Sequence, residues 1–351
     1  MVEKAVRRVV VVDDSPLSRA ALKLILEAEH DLAVVGEAAD GAAALAVVAR
    51  ERPDLATMDI HMAGVDGLTA IGNIMSTAPL PILVVTGDPS GPMGELAIRA
   101  TEFGALDVAA KPVLDDDAAC ALLRERVRQL AGVPVVRHMP REAAAAAGVR
   151  GVRREVDRAS GALLVKPPVL AIASSAGGPG ALAKILAAAP AACETCFLVV
   201  QHLPPQFVSS FTAFLSHQTT LTVRTLSGRA PLTRGTVFLA AEDRHLVLVD
   251  KNTVGVSVEP AYRGHRPSAN VLFLSLARFA ARTTTAIVLS GMGDDGALGL
   301  RELGRSGATT IAQSADSAIV DGMPRAAREL GEARHVLSSE QMVRLLYDLY
   351  H

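Results

Sequence analysis

Arg8-Val9-Val10-Val11-Val12-Asp13-Asp14 is the stretch from which the fold is read. Consecutive β-branched side chains favour extended backbone, and a run that is apolar at every position belongs to a strand covered on both faces. Two aspartates then end it. The same unit recurs downstream, where Leu32 to Val35, Leu55 to Met58, Pro81 to Val85 and Leu106 to Ala109 are further short apolar runs separated by segments of helical period. Five strands joined by crossover helices predict a doubly wound parallel α/β sheet, whose ligands gather beyond the carboxyl ends of the strands.

The polar residues at those ends form a pattern. Asp13 and Asp14 follow the first strand, Asp59 the third, Thr86 ends the fourth and Lys111 lies beyond the fifth. Three carboxylates in one pocket repel one another unless a cation neutralises them, and an all-oxygen ligand set suits Mg²⁺. Asp59 is then placed as a nucleophile toward phosphorus, with Lys111 and the Thr86 hydroxyl stabilising charge on the transferred group. Residues 1–131 thus resemble the receiver domain of two-component response regulators, a flavodoxin-like fold. The resemblance implies that Asp59 is the phosphoacceptor, that Asp13, Asp14 and Asp59 serve the metal, and that Thr86 and Lys111 are the switch residues. Two positions depart from that family: Met62-Ala63 replaces its usual Met-Pro, and Val108 stands where a switch aromatic is usual. The second speaks against an aromatic-flip readout.

A helix is expected over Ala118 to Ala131. Residues 132–166, rich in Ala and Arg without a periodic apolar pattern, read as an interdomain linker. A second α/β pattern occupies 167–351, with buried-type strands at Val169 to Ala173, Phe197 to Val200, Thr284 to Leu289 and Thr309 to Ala312. Thr236 to Ala240, His245 to Val249 and Val254 to Val258 are expected as antiparallel additions to a mostly parallel sheet.

The first of these strands runs into Ser174-Ser175-Ala176-Gly177-Gly178-Pro179-Gly180 and then a helical stretch. A serine on a glycine-rich strand-to-helix turn presents its hydroxyl beside free backbone N–H groups. The turn lacks the Lys-Ser or Lys-Thr ending of a P-loop and the full spacing of a dinucleotide fingerprint. The next strand ends in Gln201-His202-Leu203-Pro204, and a later one in Ser290-Gly291-Met292-Gly293-Asp294-Asp295-Gly296. Hydroxyl, imidazole and carboxylate at three strand ends are what nucleophilic acyl transfer needs. Their chain order, Ser, His, Asp, is not that of the α/β-hydrolases.

With the receiver ahead of them, these motifs and the runs His265-Arg266-Pro267-Ser268 and Gly322-Met323-Pro324-Arg325 resemble the chemotaxis protein-glutamate methylesterases along almost the whole chain. The resemblance implies that Ser175 is the nucleophile, His202 the general base and Asp295 the orienting carboxylate, with Asp294 a variable neighbour and the backbone N–H groups of Ala176 and Met292 forming an oxyanion hole. It assigns no role to the His265 and Gly322 runs. Ala173 and Ala176 replace the family's usual Gly and Thr beside the serine. It further implies hydrolysis of γ-glutamyl methyl esters on methylated chemoreceptors, deamidation of receptor glutamines, a chemotaxis histidine kinase as phosphodonor, Mg²⁺ in the receiver and no cofactor for the esterase. Two other readings stand beside it: a phosphorylation-dependent binding module with a degenerate esterase half, and a receiver-controlled esterase in a non-chemotactic pathway. The complete Ser-His-Asp set speaks against the first.

Bulk properties agree with this division. A chain of 351 residues exceeds the roughly 100–200 usual for one domain. Half of its residues are hydrophobic but only 3% aromatic, which suits helices packed on parallel sheets. A formal charge of −2 offers no attraction for nucleic acid or an anionic membrane surface. No secretory signal is expected at the charged N-terminus, and no apolar run approaches the ~18 residues of a membrane span, so a cytoplasmic location without membrane insertion is expected. Of three cysteines, Cys193 and Cys196 make one C-x-x-C, too little for a disulfide framework.

Overall fold

β1 (Arg7–Val12) has Val9 to Val12 buried and pairs in parallel with β2 (Leu32–Ala38) on one side and β3 (Leu55–Met58) on the other. β4 (Ile82–Thr86) and β5 (Asp107–Ala110) complete a five-stranded parallel sheet in the order β2-β1-β3-β4-β5. The order reverses between β1 and β3, so the crevice beyond their carboxyl ends is where Asp13, Asp14 and Asp59 meet. The crossover helices start where local chemistry tells them to. Ser15 caps α1 (Pro16–Glu27), which has proline in its first turn, and Asp40 and Asp66 cap α2 (Gly41–Glu51) and α3 (Gly67–Thr77). α4 is Pro92–Arg99, and α5, capped by Asp116, spans Asp117–Leu130.

The computed structural model describes residues 6–62, 65–135, 166–330 and 333–351. The chain divides into two compact units, Met1–Pro140 and Arg141–His351. Ala63 and most of the expected linker, residues 136–165, lie outside the described residues.

The second unit is built on a seven-stranded sheet in the order β15-β14-β13-β6-β7-β10-β8, every neighbouring pair parallel. Its strands are β6 (Val169–Ser174), β7 (Cys196–Gln201), β8 (Thr222–Leu226), β10 (Thr236–Ala240), β13 (Thr284–Val288), β14 (Thr309–Gln313) and β15 (His335–Leu337). β9 (Ala230–Pro231), β11 (His245–Asp250) and β12 (Thr253–Ser257) form a separate antiparallel sheet. The expectation that Thr236 to Ala240 would add antiparallel is therefore corrected: β10 lies parallel between β7 and β8. All five of its residues are buried, as a strand covered on both faces requires, whereas in the antiparallel β11 buried Leu246 and Leu248 alternate with half-buried Val247 and Val249. β8, an edge strand with mostly exposed residues, carries no apolar run to reveal it.

Strand order matters for function. β6 lies between β13 and β7, so the loops after these three neighbours, carrying Asp295, Ser175 and His202, open at one edge. Helix Ala269–Phe279 reaches the same edge, its Phe273 in a core with Leu198, Val200 and Phe238. Helix Ala297–Arg305 packs against it closely because Gly299 has no side chain; a Cβ there would lie 2.8 Å from Asn270 O and Phe273 Cβ.

Candidate active site

In the first unit, Asp13 is fully buried after β1, Asp59 is nearly so after β3, and Asp14 is exposed beside them, with carboxylate oxygens within 4.8 Å of one another. Lys111 reaches in from beyond β5, its Nζ 2.5 Å from Asp59 Oδ2 and 2.7 Å from Asp13 Oδ2. Burial would lower the pKa of this lysine, but the Asp13 and Asp59 carboxylates outweigh it and hold the ammonium charged. Three carboxylates against one ammonium leave two negative charges in excess. Asp13 Oδ2, ion-paired to Lys111, still closes no aligned hydrogen bond, so this donor set fits a divalent cation. Thr86, buried at the end of β4, accepts a hydrogen bond from Asp88 N at 3.3 Å, and Val108 is buried within β5. Asp13, Asp14, Asp59 and Lys111 thus come together, and Thr86 adjoins them through its backbone oxygen, which accepts from Lys111 N at 2.8 Å.

In the second unit, Ser175 sits on the turn between β6 and helix Pro179–Ala187, 5% exposed. The turn is held from three sides. Ser175 N donates to Ser290 O at 3.0 Å, Gly178 N donates to Ser175 O at 2.9 Å, and Gly177 adopts φ +69°, the left-handed region that suits glycine. Gln201 ties it to the next strand end. Its Nε2 donates at 3.0 Å to both Ser175 O and His202 O, while its Oε1 accepts from Ser174 Oγ. One buried amide thereby couples the backbones of the serine and the histidine.

Asp295, 2% exposed, receives four hydrogen bonds: His202 Nε2 at 2.8 Å and Ala269 N at 2.7 Å on Oδ2, Ser268 Oγ at 2.8 Å and Asn270 N at 3.1 Å on Oδ1. Two of these donors are the first N–H groups of helix Ala269–Phe279, where the helix dipole also favours an anion. Burial pushes this carboxyl's pKa up, but His202, Ala269 N and Ser268 Oγ bring it down to about 2. An ionised Asp295 can only accept, so His202 Nε2 donates in this bond and Nδ1 is the ring nitrogen left outside the cage. Among the described residues, no hydrogen bond links the His202 ring to Ser175 Oγ in this state, as is common before substrate arrives. Asp294 is half exposed and pairs with Arg263 at 3.1 Å.

The N–H groups of Ala176 and Met292 donate to no acceptor among the described residues. The loop after β13, which carries Met292, is closed by the run at Gly322. Met323 N donates to Gly291 O at 2.8 Å, and a Cβ on Gly322 would lie 2.7 Å from that same oxygen and 3.1 Å from Met292 Cα. Sequence reasoning left this run and His265 to Ser268 without roles. Ser268 has a local signal, being a serine directly before an apolar helical run. His265 and Gln201 have none.

Cys193 and Cys196 are buried and free, and burial pushes the Cys196 thiol to about 12, which opposes thiolate chemistry. Among the described residues, no helix is long and apolar enough to cross a membrane.

The sequence matches the CheB methylesterase family over residues 170–346 and the response regulator receiver domain over residues 9–124. It is 39% identical over 344 residues to protein-glutamate methylesterase/protein-glutamine glutaminase 2 of Anaeromyxobacter dehalogenans, covering 97% of this chain and 96% of that one. It is 33% identical over 344 residues to the protein-glutamate methylesterase/protein-glutamine glutaminase of Pyrococcus abyssi, covering 95% and 91%. Among solved structures, the CheB methylesterase catalytic domain of Thermotoga maritima matches with a TM-score of 0.50 at 30% identity, over 53% of this chain and all of that one. The chain belongs to the CheB methylesterase family, with a response-regulator receiver domain preceding the methylesterase domain.

Proposed function

We propose that this protein hydrolyses γ-glutamyl methyl esters on chemoreceptors, and deamidates receptor glutamines, at a site made of Ser175, His202 and Asp295. The observation that carries this reading is the imidazole held at Nε2 by a caged, ionised Asp295, on the strand end next to that of a buried serine. Ser175 Oγ attacks the γ-carbonyl carbon as its proton passes to His202 Nδ1, and the oxyanion faces the N–H groups of Ala176 and Met292. His202 returns the proton to the methoxy oxygen, methanol leaves, and an acyl-serine remains. Water, deprotonated by His202, then releases glutamate. An amide substrate follows the same steps with ammonia as leaving group.

Residues 1–131 are the receiver in this reading, 132–166 the linker and 167–351 the esterase. Asp59 accepts a phosphoryl group from a histidine kinase. Asp13, Asp14 and Asp59 would hold Mg²⁺, which supplies positive charge at the transferring group when bound. Lys111 and the Thr86 hydroxyl meet the new charge. Phosphorylation raises esterase activity. The test is methanol release from methylated receptor membranes, with and without acetyl phosphate and Mg²⁺. Asp59→Asn is expected to remove the stimulation and keep the basal rate, and stimulation that survives would refute control through Asp59.

A further outcome concerns Gly291. A Cβ there would lie 2.3 Å from Met323 Sδ and 2.7 Å from Ser175 Cβ. Gly291→Ala should therefore displace the serine and lower kcat by about 10²-fold, with a loss of stability of about 1–3 kcal/mol from overpacking the buried turn. A wild-type kcat would show that the turn absorbs the methyl group.

A further inference from the structure

The loop from β12 to helix Ala269–Phe279 is tied down more firmly than a connector needs. His245, fully buried, donates from Nε2 to Pro260 O at 3.2 Å and accepts from Ser268 N at Nδ1 at 3.1 Å, so one imidazole holds both ends. Tyr262 and His265 exchange both backbone hydrogen bonds, 3.0 and 3.1 Å, around Arg263 (φ +50°) and Gly264 (φ +88°). Positive φ at both central residues is the geometry of a type I′ turn, which costs a non-glycine residue such as Arg263 conformational energy. Beside the turn, Arg266 pairs through two nitrogens with Asp243, while the exposed contact of Arg263 with Asp294 adds little. What this small hairpin presents is the ring of His265. It lies flat on His202, with centroids 4.3 Å apart and planes 9° from parallel.

The bond to Asp295 fixes one atom of the His202 ring but not its plane, since rotation about the terminal side-chain torsion is soft. A second flat ring removes that freedom. We propose that His265 is a positioning residue that holds the plane of His202, so that Nδ1 faces the serine. This inference rests on the Ser175, His202, Asp295 reading above.

The test compares His265→Ala, His265→Phe and His265→Leu in the full-length protein. Two rates are measured: methanol release from methylated receptor, resolved into kcat and KM, and inactivation by phenylmethylsulfonyl fluoride. In the second, the Ser175 Oγ–S bond forms, fluoride leaves and the proton passes to His202, with no receptor involved. His265→Ala is expected to lower kcat and the inactivation rate together by about tenfold or more, with KM unchanged. His265→Phe should recover most of both rates. His265→Leu, apolar but not planar, should not, although its Tm matches that of the phenylalanine variant. The proposal is overturned if His265→Ala keeps wild-type rates, if phenylalanine rescues no better than leucine, or if only KM moves. Ser175→Ala and His202→Ala run alongside: if either retains activity the underlying triad reading fails, whereas if both are inactive and His265→Ala is not, this inference alone falls.

Discussion

Ser175→Ala is expected to lower kcat for methanol release on the order of 10⁶-fold, because without the hydroxyl no acyl-serine forms and the remaining turn only binds substrate. His202→Ala should cost about as much, and the double variant no more than either single one, since groups that act in one proton transfer do not lose independently. Phosphorylation of Asp59 by acetyl phosphate should be unchanged in all three variants, because the Asp59 pocket belongs to a separate compact unit with its own sheet. Folding should be preserved as well. Removing Ser175 Oγ leaves the backbone bonds of the turn, Ser175 N to Ser290 O and Gly178 N to Ser175 O, in place. Methanol release near the wild-type rate from Ser175→Ala would remove this serine from the mechanism.

The second large effect separates the two neighbouring carboxylates. Asp295→Asn should lower kcat about 10⁴-fold, by offering His202 a group that no longer fixes the Nε2–H tautomer. Asp295→Ala adds a folding penalty of about 3–5 kcal/mol, because it removes one partner of a buried pair and strands Ser268 Oγ and the N–H groups of Ala269 and Asn270. Asp294→Ala should stay within about twofold of wild type in kcat, since its exposed pair with Arg263 contributes little. A larger loss at position 294 than at 295 would show that the wrong carboxylate is in the triad. The pH dependence follows from the same cage. With its pKa depressed from 3.8 to about 2, Asp295 contributes its stability in full above the unfolded value, and that contribution is lost as pH falls through about 2. Titration of Asp295 should therefore put no limb on the activity profile above pH 4, and a limb there that vanishes in Asp295→Asn would contradict the cage.

The α/β class, most buried strands and the strand-end positions of the polar residues can be read from the amino-acid order alone. The reason is that parallel strands buried on both faces appear as unbroken apolar runs, and the residue after such a run lies at the sheet's carboxyl edge wherever the strand falls in the order. Asp13, Asp59, Ser175 and His202 were legible for that reason. Which runs are neighbours emerges from the fold: β10 lies between β7 and β8, and β6 between β13 and β7, which brings Asp295, Ser175 and His202 to one opening. The fold also sets what surrounds the chemistry. Asp295 takes its backbone donors from a helix start some 25 residues earlier in the chain, and the ring on His202 comes from a hairpin stapled by His245. A hydrogen bond or ring stack between residues far apart in sequence leaves no periodicity to read. It exists only once the core has brought the loops together.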